Sequence, residues 1–97
     1  MTREELLRSP EYWILELQEY LFGVVVKYMK DNSFSKEKLS KKFECSKNCI
    51  NKILAGEFDG KISQLIKILL VVGKVPIMSF KDIEKIVEDD KKMKNDK

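Results

Sequence analysis

The stretch SKEKLSKKFECSKNCINKILAG, residues 35–56, decides the fold. It reads as two short helices, each opened by a serine. Ser35 is a good N-cap for Lys36–Phe43, with Leu39 and Phe43 on one side. Glu44-Cys45 is a tight connection. Ser46 caps Lys47–Ala55, which turns Ile50, Ile53 and Leu54 inward, and Gly56 ends it as the first residue past the helix. Two short helices so joined cross steeply, and the second can project from the surface.

The second helix has an apolar inner face and a polar, basic outer face of Lys47, Asn48, Asn51 and Lys52. The major groove of B-DNA is ~12 Å wide and accepts one α-helix. Asn can read adenine with two hydrogen bonds, and Lys can donate to guanine. Ser46 sits where its hydroxyl and the free amides of a helix start can meet a phosphate. Charge is localised in the same stretch. Between residues 33 and 56 there are six lysines against Glu37 and Glu44, whereas the first twenty residues carry two arginines and five glutamates. The chain as a whole is only +3, so the distribution, not the total, is what attracts phosphates. A solvated lysine-rich surface is the competing explanation of the charge alone.

Outward from this stretch the helical pattern continues. Ser9-Pro10-Glu11 marks a helix start, and Glu11–Lys30 reads as a long helix with Trp13, Leu17, Leu21, Val24 and Tyr28 on one face, widened by Ile14, Val25 and Met29. Asp31-Asn32-Ser33 breaks it. Ile62–Val72 is apolar on several faces and suits a buried helix, stopped by Gly73. Val75, Ile77 and Ser79 then alternate with Pro76, Met78 and Phe80, as in an edge strand or extended segment. Ser79-x-x-Asp82 resembles a capping box for a short last helix using Ile83, Ile86 and Val87. The expected organisation is a mobile N-terminus over 1–10, a core domain over 11–73, an extended segment and short helix over 74–88, and a disordered tail over 89–97. With 97 residues and only four Gly and two Pro, an all-α domain with a single core is expected.

The segment Leu39–Gly56 resembles the helix-turn-helix of the lambda-repressor-like, or XRE-like, family, whose pattern runs T-Q-x-x-L-A-x-x-x-G-V-S-x-x-x-I-S-x-I-E-x-G. Leu39, Ser46, Ile50, Ile53 and Gly56 fall in register without a gap. The likeness extends through Ile62–Ile68, similar to the family's fourth helix, and covers about Leu21 to Val72. It implies an all-α lambda-repressor-like bundle of about five helices, with a short extended segment near the C-terminus. By resemblance, Lys47, Asn48 and Lys52 occupy base-reading positions, with Asn51 a weaker one, and Ser35, Lys36, Ser46 and Lys61 occupy positions that meet phosphates. The chain departs from the pattern in places. Ser35-Lys36 replaces T-Q, so a cation stands where a glutamine usually braces a phosphate. Ser40 replaces a small Ala and Cys45 a Val. Glu44 replaces the turn glycine, where a positive φ would carry strain.

Three functions compete. The first is a sequence-specific regulator of transcription, a dimeric repressor on double-stranded DNA. The second is an antitoxin of the HigA type, which binds a toxin protein and represses its own operon. The third is a protein-interaction adaptor without DNA binding. Trp13 and Leu17, with Val75 and Ile77, are the expected partner or dimer surface, since aromatic anchors and unpaired strand edges both invite partners. Catalysis is not expected: the chain has no His, the commonest general base, and no glycine-rich phosphate loop. Cys45 and Cys49 lack the further ligands of a zinc set, so no metal and no cofactor are expected. Met1–Pro10 lacks the apolar run of a signal peptide, and no stretch approaches the ~20 apolar residues of a membrane span. A cytoplasmic protein without membrane contact is the expectation.

Overall fold

In the computed structural model, which describes residues 2–95, the chain is all-helical, with no strand among the described residues. Six helices follow in order: α1 (Arg3–Leu7), α2 (Pro10–Asn32), α3 (Lys36–Phe43), α4 (Lys47–Leu54), α5 (Ile62–Val71) and α6 (Ile83–Asn95). They divide between two compact units, one of residues 1–14 and 77–97, the other of residues 15–76, so α2 begins in the first and continues in the second.

The larger unit holds one apolar core. Leu21 and Val25 of α2, Leu39 and Phe43 of α3, Ile50 and Ile53 of α4, and Ile68 and Leu69 of α5 are buried together. Each pair lies three or four residues apart, or side by side on one helical face, so amphipathic spacing accounts for the core. The Tyr28 ring stacks on Phe43 with centroids 6.1 Å apart and meets Phe34 edge-on at 5.5 Å. Gln18 ties the α2 side of this unit to the 55–61 connection by donating to the Phe58 carbonyl at 2.9 Å.

Local chemistry sets the boundaries. The Ser35 hydroxyl accepts from the Lys38 amide at 3.2 Å, and that of Ser46 from the Cys49 amide at 3.1 Å, satisfying orphan donors at each helix start. Gly56, at φ 73, takes the left-handed conformation just past α4, and the Glu57 amide reaches back to the Lys52 carbonyl at 2.8 Å. Glu44 caps α3 in the same left-handed region, at φ 52 and ψ 47.

The smaller unit differs from the sequence reading. The N-terminus, expected to be mobile over 1–10, forms α1, capped by the Thr2 hydroxyl. The tail expected to be disordered from Asp89 continues α6 to Asn95; residues 96 and 97, and Met1, lie outside the described residues. Between the N-terminal segment and α6, Arg3 meets Asp90 at 3.2 Å, Arg8 meets Glu84 at 3.0 Å and Lys91 meets Glu4 at 3.0 Å, exposed pairs of small individual worth. Leu7 and Val87 are buried beside them. The segment 74–80, expected as an edge strand or extended segment, forms no strand. It has no neighbouring strand to pair with, and Pro76 has no amide hydrogen to donate.

Trp13 and Leu17, on the apolar face of α2 by spacing, stand 46% and 48% exposed, because the core gathers only from Leu21 onward. One further expectation shifts. α5 is buried on one side only: Ile68 and Leu69 are inside, while Ile62 and Leu70 are exposed.

Candidate nucleic-acid interface

α4 is seated by Ile50 and Ile53, both fully buried, with Cys49 and Leu54 packed against the same cluster. At about 100° per residue, these four fill one half of the helix circumference. Lys47, Asn48, Asn51 and Lys52 fill the other half, and all four are exposed. The structure therefore brings the four residues expected to read bases onto one outward arc of a fixed helix.

Two of the four are held by α3. The Lys47 ammonium lies 3.3 Å from the Glu37 carboxylate. The Lys36 ammonium donates to Asn51 Oδ1 at 3.3 Å. Asn48 and Lys52 have no side-chain partner among the described residues. Glu37 is the residue that sequence reasoning missed. Its own backbone amide, then Lys47, and then the Ser35 hydroxyl hold its carboxylate below the usual range. Ser35, expected to meet a phosphate, thus caps α3 and also faces Glu37. The signal was present as an acid two residues past the cap, but its pairing with Lys47 depends on how α3 and α4 cross.

The turn between the helices is closed from both sides. The Ser40 hydroxyl donates to the Cys45 carbonyl, and the Cys45 amide donates to the Ser40 carbonyl at 3.1 Å. Position 40 therefore does more than permit close approach: its hydroxyl is a hydrogen-bond donor across the turn. Cys45 and Cys49 are free thiols, half-buried. Burial, then hydrogen bonding to Cys49, pushes the Cys45 thiol up to about 12. Gln64 of α5 donates to Cys49 Sγ at 3.4 Å. Among the described residues, no group of three or more Cys, Asp or Glu side chains is placed to hold a metal ion.

Electrostatics set α4 and α5 apart. α1, α2, α3 and α6 each carry an acid in the first turn, and α4 and α5 carry none. Instead Lys47 begins α4, and Lys61 stands at the N-cap of α5 with no side-chain hydrogen bond to the free amides. A cation at the positive end of a helix is unfavourable unless an anion joins it. At α4 that anion is the Glu37 carboxylate, 3.3 Å from the Lys47 ammonium.

The expected partner surface is divided between the units. Trp13 and Ile77 belong to the smaller, Leu17 and Val75 to the larger. Trp13 is anchored through its indole N–H, which donates to the Leu7 carbonyl at 2.7 Å. Ile77, 91% exposed, and Val75, 71% exposed, have little intrachain packing. No helix among the described residues is long and apolar enough to cross a membrane. Comparison with protein families, with curated proteins and with solved structures gives no match.

Proposed function

We propose that this chain is a sequence-specific DNA-binding regulator, a dimeric repressor with a lambda-repressor-like helix-turn-helix. In this reading α3 and α4 form the helix pair, and α4 lies in the major groove. One observation carries it: the basic and amide side chains of α4 share the exposed arc while Ile50 and Ile53 anchor the opposite one. Asn48 and Lys52 read base edges. Lys47 exchanges Glu37 for DNA, and Lys36 orients Asn51. Ser46 and Lys61 position the helix against phosphates. The protein binds rather than catalyses, and it acts in the cytoplasm.

Selection of bound sites from a random duplex pool, followed by fluorescence anisotropy across salt, tests this. Asn48→Ala is expected to relax preference at one base by about 1–3 kcal/mol. Lys61→Ala is expected to weaken all duplexes alike and reduce the salt slope by about 0.9. A parent chain whose duplex binding is absent at low salt would sink the proposal and favour the adaptor.

A second reading, a toxin-binding antitoxin, draws on the smaller unit. Ile77, Met78 and Phe80 are 91%, 68% and 90% exposed there. Beside them a groove of about 300 Å³ is lined by Trp13, Phe80, Ile83 and Ile86. Apolar surface of this kind suits a protein partner rather than a phosphate backbone. Co-expression with the neighbouring reading frame tests it, and failure to form a complex counts against it.

A further inference from the structure

The outward side of α2 in the larger unit carries a charge pattern that the chain itself leaves largely unused. Leu21 and Val25 turn to the core. Opposite them run Glu16, Glu19, Gly23, Lys27 and Lys30, all exposed. Both acids precede Gly23 and both bases follow it, four and seven residues away on either side. Four and seven residues are about one and two helical turns, so the five form a single stripe with Gly23 at its centre.

Nothing inside the chain calls for glycine at 23. Its φ is not positive, and a Cβ added there would meet nothing within 4 Å. A glycine in a helix interior is destabilising relative to alanine. What glycine offers at an exposed helix position is close approach by another backbone.

We propose that this stripe is the surface on which two copies of the chain dimerise, with their α2 helices crossing antiparallel at Gly23. A two-fold axis through Gly23 places Glu19 of one copy against Lys27 of the second, and Glu16 against Lys30, and the same contacts recur by symmetry. A parallel pairing would set acid on acid and base on base. Lys27 lies 2.9 Å from Asp31 of its own helix, but both groups are exposed, 78% and 59%, so this pair is weakly held. Ion pairs alone do not sustain a dimer. The apolar contribution comes from a groove of about 440 Å³ beside Gly23, lined by Tyr20, Val24, Tyr28 and Val72, with Tyr20 itself 52% exposed. The inference deepens the dimeric reading above by naming its contact surface, and rests on that reading only for its biological use.

Sedimentation velocity of the full chain, without DNA, tests it. The parent is expected to dimerise at micromolar concentration and to loosen as salt rises. Two charge-reversed variants decide the matter: Glu16→Lys with Glu19→Lys, and Lys27→Glu with Lys30→Glu. Each alone is expected to associate at least tenfold more weakly, and an equimolar mixture is expected to form heterodimers. All four sites are exposed, and circular dichroism checks that each variant is folded. Gly23→Leu is expected to weaken the dimer without loss of helix. A parent that stays monomeric, reversed variants that dimerise as the parent does, or a mixture that fails to associate would each overturn the proposal. A monomer that still binds duplex sinks only this surface. A dimer indifferent to duplex sinks only the DNA reading.

Discussion

Glu44 holds the turn before α4 in a left-handed conformation, φ 52 and ψ 47, and the replacement Glu44→Gly tests how much strain it stores. A non-glycine residue there costs about 1–2 kcal/mol, which glycine relieves. Glycine gains freedom in the unfolded chain, which offsets about 0.4–1 kcal/mol. The Glu44–Lys67 pair is also lost; at 2.9 Å but 54% and 70% exposed, it contributes a few tenths, ~0.3 kcal/mol. Glu44→Gly should therefore be about 0.5 kcal/mol more stable than the parent. Glu44→Ala keeps the strain and loses the pair, so it should be about 0.3 kcal/mol less stable. The gap between the variants, about 0.8 kcal/mol, corresponds to roughly 3–6 °C for a domain of this size. Far-UV circular dichroism melts read it. Both variants remove the same charge, so duplex binding should be equal in the two. A glycine variant no more stable than the alanine variant would refute the assignment of strain to this turn.

Three shorter predictions follow from the core, the basic face and the buried thiol. Phe43→Ala empties a fully buried site beneath Tyr28 and should cost about 3–5 kcal/mol, whereas Leu17→Ala, half exposed, should cost about 0.5 kcal/mol or less; urea titrations that find the two alike contradict the placement of the core. Glu37→Gln releases Lys47 from its 3.3 Å partner and should tighten duplex binding and steepen its salt dependence; an anisotropy titration that finds neither change contradicts a place for Lys47 on the duplex. With its thiol pushed up to about 12 by burial and by Cys49, Cys45 should carry far less thiolate at pH 8 than an unperturbed thiol and resist alkylation, as mass spectrometry of the native chain will show. The sign of the linkage is fixed by the raised value: the contribution of the protonated thiol is complete below 9.0 and is lost as pH rises from 9.0 through about 12.

Local signals were legible and tertiary ones were not. Ser35, Ser46 and Gly56 act within a few residues of themselves, so the helices they bound lie where the pattern puts them to within a residue. The outward arc of α4 follows from the same spacing. Positive φ at residue 44 was foreseeable because a glycine stands there in the family the segment resembles. The α1–α6 pairing was not legible: Arg3 and Asp90 are 87 residues apart, and each reads locally as a solvated charge. Periodicity also marks Trp13 and Leu17 as apolar-face residues without telling which part of a 23-residue helix finds a partner. Glu37 was overlooked for the same reason, since its hold on Lys47 arises from two helices crossing.

One α4 presents only four outward polar side chains, two of them occupied by α3. If α4 reads DNA as proposed, a single such helix supplies too few contacts for high affinity, and linking two copies is the physical remedy, because the second half-site then binds at an effective concentration near millimolar. If the stripe around Gly23 makes that link, affinity for a two-fold site must follow association at α2. Each charge-reversed variant alone should then lose about 10²–10⁴-fold on a palindromic duplex relative to its own change at one half-site, which controls for the altered net charge. The equimolar mixture should recover the lost affinity, although neither component regains any residue of α4. Anisotropy titrations on the full and half duplexes separate the cases. Recovery on mixing ties the two surfaces together, and equal binding by parent and variants would show that α2 contributes nothing to reading DNA.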